Sequence, residues 1–120
     1  MSRSVAPVTL SVLGAGSWGT ALASLLAGNG QRVRLWGRDA AALAAMAVSG
    51  ENVRYLPGIA LPPSLEYLPE LAAAVADAEL VLLAVPSHAF DEVLQRVAPL
   101  LSPQAALAWA SKGFDPVSGR

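Results

Sequence analysis

Cysteine is absent from this chain of 120 residues. Its absence excludes disulfides, thiolate nucleophiles and cysteine-ligated metal sites, and makes a reducing compartment the default. Histidine is nearly absent as well, and the single His88 gives no basis for a zinc site built from protein side chains alone. Charge is scarce and balanced. Asp, Glu, Lys and Arg make up 14% of the residues, with eight basic against nine acidic side chains and a formal net charge of -1. With no block of like charge, the chain is not expected to wrap nucleic acid or coat an anionic membrane. No long apolar run occurs either. The opening "MSRSVAP" is polar and the apolar stretch behind it is short and broken by glycines, so neither a signal peptide nor a membrane span is expected. A cytoplasmic setting is the simplest reading. What is present is apolar bulk, 54% of the residues, in a length suited to one domain with its own core.

Apolar periodicity divides the chain into alternating strands and helices. "VTLSVL" at Val8 to Leu13 is short, carries β-branched residues and ends at glycine, the pattern of a buried parallel strand. Thr20 to Ala27 is made of helix formers and is closed by "GNG" at Gly28 to Gly30. Arg32 to Gly37 predicts a second strand, and Asp39 to Val48 an alanine-rich helix with Asp39 as its N-cap. From Ser49 to Leu68, glycine and proline interruptions predict a long loop with a short strand near Leu65 to Leu68, and a loop of that length tends to have a function. Pro69 to Ala78 predicts a helix, and Glu79 to Ser87 a buried strand halted by Pro86. In His88 to Leu101 the apolar residues Phe90, Val93, Leu94, Val97, Leu100 and Leu101 mark one helical face. "AALAWASKGF" then reads as a strand running into a loop at Lys112. This alternation specifies an α/β fold, an open and mostly parallel sheet with right-handed crossovers, covering residues 1–120 as one domain.

Three glycines, Gly14, Gly16 and Gly19, stand between the first strand and the first helix in "GAGSWG". A turn needs one of them at most. In a doubly wound sheet of Rossmann type, ligands bind beyond the carboxyl ends of the strands, where this loop falls. Gly14 would permit the sharp turn, Gly16 the approach of a pyrophosphate to bare backbone, and Gly19 close packing of helix on sheet. The helix start would add unsatisfied N–H groups and a positive dipole end, with Ser17 offering a hydroxyl and an N–H to phosphate. Trp18 either caps the core or packs on cofactor or substrate, and the second suits a large ring in a phosphate loop better. Past the second strand, "GRD" presents Arg38, which suits a 2′-phosphate, beside Asp39, which suits a ribose hydroxyl or caps the next helix. Arg38 favours NADPH, with NADH also possible.

The order and spacing of "GAGSWGTALA", "LWGRD", "NVRYLPGIALP", "AVPSHAF" and "SKGFD" resemble the NAD(P)-dependent glycerol-3-phosphate dehydrogenases of bacteria, over essentially the whole chain. The resemblance implies interconversion of dihydroxyacetone phosphate and sn-glycerol 3-phosphate by hydride transfer, which supplies phospholipid synthesis. It implies cofactor contacts at Ser17, Trp18, Arg38, Tyr55 and Lys112, and a substrate contact at Lys112. It makes the "RYLPG" loop a wall over the nucleotide. It gives His88 no acid or base role, leaving it a partly exposed residue at a helix start. The family's general acid/base lysine and its glycerol phosphate clasp belong to a helical second domain that would begin beyond Arg120. No catalytic residue is therefore expected within this chain, which would be a cofactor domain, inactive alone, from a protein that is homodimeric at full length. Two other readings keep the glycines: a nucleotide-binding regulatory module, and a dehydrogenase of the same fold acting on ketopantoate or a hydroxyacid. "RYLPG" together with "SKGFD" favours the first reading over both.

Overall fold

The computed structural model describes residues 9–109. In order they form β1 (Thr9–Leu13), α1 (Ser17–Gly28), β2 (Arg32–Trp36), α2 (Ala40–Ser49), β3 (Glu66–Tyr67), α3 (Leu71–Val75), β4 (Leu80–Leu83), α4 (Ser87–Val97) and β5 (Ala106–Trp109). A single 3-10 turn over Ala98–Leu100 joins α4 to the last connection, where Pro99 tightens the chain. The strands lie in the order β3-β2-β1-β4-β5, and every pairing is parallel. The chain therefore winds outward from β1 to one edge, then crosses back over β1 to build the other half. This is a Rossmann-type doubly wound sheet.

Because side chains alternate along a strand, β1, β2 and β4 sort their residues onto two covered faces. Leu10, Val12, Val33 and Leu35 pack with Ala23 and Ala27 of α1 and Leu43 and Met46 of α2. Leu13, Trp36, Val81 and Leu83 pack on the opposite face with α3 and with Ala89, Val93 and Val97 of α4. Val12, Leu13, Val33, Leu35, Val81 and Leu83 have no exposed surface at all. Each such side chain contributes about 1.5–3 kcal/mol of burial free energy, which fixes the register of the central strands. Ser11 is the buried polar residue of β1, and its hydroxyl donates to the carbonyl of Ala74 in α3.

Several element boundaries differ from the sequence reading, each for a local reason. The first helix starts at Ser17 instead of Thr20, because Gly16 adopts extended backbone and serves as its N-cap. The helix expected over Pro69 to Ala78 is confined to Leu71–Val75, because Ala76 turns extended and Asp77 enters the left-handed region at φ 58. The strand expected from Glu79 to Ser87 pairs only over Leu80–Leu83; the Ala84 N–H still donates to the Leu13 carbonyl at 2.8 Å, and α4 begins at Ser87 after Pro86. At the β3 edge Arg34 donates to the carbonyls of Ala73 in α3 and of Ala76 just past it, and its guanidinium lies 3.6 Å from Glu66. Glu66 also faces Arg32 at 3.9 Å.

Candidate nucleotide site

Where the two halves of the sheet diverge, the carboxyl ends of β1, β2 and β4 open onto a cleft of about 330 Å³. That lies within the ~300–1,000 Å³ of small-molecule sites. Its walls are the 14–16 turn after β1, residues 36–39 after β2, residues 84–86 after β4, and Arg54 and Tyr55 of the long loop. The lining is largely apolar side chains and backbone, with the charged groups at its mouth.

The three glycines of the first turn answer to three different constraints. Gly14 has φ +125, and a β-carbon there would lie 2.7 Å from the carbonyl oxygen of Ala84. Gly19 sits inside the first turn of α1, where a β-carbon would run into the carbonyl of Gly14 and lie 3.3 Å from the Ala84 side chain. Helix and sheet touch there through bare backbone. Gly16 is unlike both: its φ of -76 suits any residue, and a β-carbon would meet nothing within 4 Å. The protein's own packing thus leaves open room above Gly16, on the cleft wall. As N-cap it brings no side chain to the first-turn N–H groups of α1, and that turn carries no acidic residue. A helix start with neither a capping side chain nor an acid suits an anion.

Past β2, Asp39 accepts a hydrogen bond from the Ala42 N–H at 3.1 Å and caps α2. One of its two carboxylate oxygens is therefore committed to the helix. Arg38 reaches across the mouth to α4, where Nη2 donates to Glu92 Oε1 at 2.7 Å and Nη1 to Oε2 at 3.3 Å. The carboxylate raises the Arg38 guanidinium above its ordinary value, chiefly through the hydrogen bond, and Arg38 in turn holds the Glu92 carboxyl below the ordinary glutamate value. Both groups are charged at neutral pH.

The long loop is not loose. Asn52, only 4% exposed, donates from its side-chain amide to the Ala15 carbonyl at 3.0 Å and to the Thr20 hydroxyl at 2.8 Å. Its amide oxygen accepts the Tyr55 N–H at 3.1 Å. Glu51 accepts the Gly58 N–H at 2.7 Å, while Leu61 and Leu65 are buried against α1 and α2. These ties stand Arg54 and Tyr55 on the cleft wall, with the Arg54 guanidinium 5.1 Å from the Tyr55 ring centre.

Of the residues singled out in the sequence, Gly14, Gly16, Arg38 and Tyr55 meet on this one cleft. Gly19 supports the turn from behind. Ser17 is exposed and Trp18 half-buried in the first turn of α1, and neither lines the cleft wall. Lys112 lies outside the described residues. His88 is exposed in the first turn of α4. Three residues of the site were given no role by the sequence reading, although Asn52 and Gly37 stand inside motifs that carried the resemblance. Asn52 and Glu92 act through partners 37 and 54 residues away. Gly37, buried on the cleft wall, would place a β-carbon 2.9 Å from that of Ala15. Among the described residues no group of three His, Cys, Asp or Glu is arranged to hold a metal, and no helix is long and apolar enough to cross a membrane.

The family model described as "NAD-dependent glycerol-3-phosphate dehydrogenase N-terminus" matches residues 9–120. The chain belongs to that family. A glycerol-3-phosphate dehydrogenase (NAD(P)+) from Xanthomonas euvesicatoria is 59% identical over 111 residues, covering 92% of this chain and 33% of the relative. One from Stenotrophomonas maltophilia is 57% identical over the same length and shares. The crystal structure of glycerol-3-phosphate dehydrogenase from Coxiella burnetii superposes with a TM-score of 0.83 at 41% identity, over 93% of this chain and 34% of that one. The chain spans about a third of the length of the relatives it matches.

Proposed function

We propose that residues 1–120 form the nicotinamide-nucleotide-binding domain of a cytoplasmic, homodimeric oxidoreductase that interconverts dihydroxyacetone phosphate and sn-glycerol 3-phosphate, supplying glycerophospholipid synthesis. The observation that carries the reading is Gly16. Neither its backbone angles nor its neighbours demand a glycine, yet a side chain there would project into the cleft beside the uncapped start of α1. A diphosphate resting on bare backbone supplies the missing reason. Membership of the family and the names of the relatives support the substrate assignment.

Each element of the cleft has a task in this reading. Gly14 and Gly19 shape the turn, Gly16 and the N–H groups of Ser17 and Trp18 receive the diphosphate, and Arg38 takes a 2′-phosphate. Tyr55 walls the nucleotide. When bound, NADPH or NADH supplies the hydride. Lys112 follows the fifth strand and would bind both cofactor and substrate phosphate as a compact cation. The proton is moved by a lysine beyond Arg120, since proton transfer requires a donor placed within hydrogen-bond reach of the reacting oxygen.

Isothermal titration of the whole protein with NADPH and NADH tests the reading. Both nucleotides should bind, NADPH the tighter. Gly16→Val should weaken both by about tenfold or more, the value of one or two lost hydrogen bonds to a charged group. Lys112→Ala should depress turnover of dihydroxyacetone phosphate far more than nucleotide affinity. Unchanged nucleotide binding in Gly16→Val would overturn the phosphate assignment, and unchanged turnover in Lys112→Ala the substrate role.

A further inference from the structure

The Arg38 that the proposed function gives to a 2′-phosphate already has an anionic partner. Its two terminal nitrogens meet the two oxygens of Glu92 one to one, at 2.7 and 3.3 Å. A guanidinium presents its donors as a rigid fork, and a phosphate would engage that fork by the same paired geometry as a carboxylate. The other ion pairs among the described residues, Arg32 and Arg34 with Glu66, stand at the β3 edge away from the cleft. Arg38–Glu92 is thus the ion pair that a cleft ligand would meet.

We propose that Glu92 is a positioning residue for cofactor choice: by occupying the Arg38 fork, it competes with the 2′-phosphate of NADPH and leaves NADH untouched. The inference rests on the proposed function. Three observations fix its size and direction. First, the Arg38 and Glu92 side chains are 49% and 57% exposed, so the pair is screened by water and a phosphate can displace the carboxylate. Second, Asp39 points its carboxylate at the α2 N-terminus and makes no ion pair with Arg38, so Glu92 is the acid that neutralises it. Third, Glu92 belongs to α4 while Arg38 follows β2, so the contact spans the cleft mouth from one half of the sheet to the other. NADPH must displace Glu92 to reach the fork. NADH carries no anion to that place and leaves the pair intact. The carboxylate therefore narrows the gap between the two nucleotides and lets one site serve both.

The test is isothermal titration of the whole protein and of Glu92→Gln with NADPH and with NADH at low ionic strength. Glutamine keeps the size and removes the charge. Glu92→Gln should tighten NADPH by about two- to fivefold, the scale of an exposed ion pair, and leave NADH unchanged. Glu92→Ala should act in the same direction. In an Arg38→Ala background, Glu92→Gln should alter neither nucleotide, an outcome that a general effect on folding would not give. Equal changes for both nucleotides, or no gain for NADPH while Arg38→Ala still weakens NADPH selectively, would overturn the proposal and leave the cofactor assignment standing. If Arg38→Ala weakens both nucleotides equally, Arg38 does not read the 2′-phosphate and the proposal falls with that premise. If wild-type protein binds neither nucleotide, the proposed function itself fails.

Discussion

The side-chain amide of Asn52 donates to the carbonyl oxygen of Ala15 at 3.0 Å, tying the long loop to the middle of the glycine turn. The same side chain bonds the Thr20 hydroxyl and receives the Tyr55 N–H, so one buried residue sets the separation of two cleft walls.

Removing it strands polar groups. Asn52→Ala leaves the Ala15 carbonyl and the Tyr55 N–H without that partner, at about 1–3 kcal/mol. For a domain of this size that corresponds to a fall in melting temperature of several degrees, roughly 4–8 °C per kcal/mol. Asn52→Asp should be no better, because a carboxylate cannot donate to the Ala15 carbonyl. Calorimetry of the three proteins checks the order, and an aspartate variant as stable as wild type would show that the donation to Ala15 is dispensable.

The glycines separate by what each change harms. Gly19→Ala forces a β-carbon into the Gly14 carbonyl and should destabilise the fold by more than about 4 kcal/mol, the range of severe packing clashes. Gly16→Ala meets open space at an ordinary φ and should stay folded within about 1 kcal/mol of wild type. Thermal melts followed by circular dichroism distinguish them. Comparable losses in the two variants would mean that the turn needs Gly16 for its own shape.

The Arg38–Glu92 pair has a pH signature. Arg38 lowers the Glu92 carboxyl below its ordinary value of 4.5, first through the hydrogen bond and then through charge. A carboxyl lowered in the folded state stabilises the fold above the unfolded value, and the contribution is lost as pH falls through the folded one. Carboxylate NMR should place the Glu92 midpoint below 4.5 in wild type and return it to the ordinary range in Arg38→Ala. An identical midpoint in both proteins would mean that the pair does not persist in solution.

The legible parts of this fold are those where local pattern and tertiary role coincide. The near-continuous apolar runs of β1 and β4 belong to strands buried on both faces, so a short run of leucine and valine was enough to find them. Asp39 was readable as a helix cap because its bond closes within three residues. The long loop was readable only as a loop, since its order comes from Asn52, Leu61 and Leu65 meeting partners far along the chain. Gly37 looked like the end of a strand, whereas its requirement is the approach of Ala15 from β1's turn. Glu92 is one of two adjacent acids in α4, with Asp91, and nothing beside it in sequence marks the arginine it meets.

The two rims of the sheet are unequal. At one, β3 offers two residues of backbone, with Glu66 held among Arg32 and Arg34, and so short and charged a margin is a poor template for another molecule's strand. Accidental cross-pairing between copies is thereby discouraged along that edge, which keeps its short backbone for β2 alone.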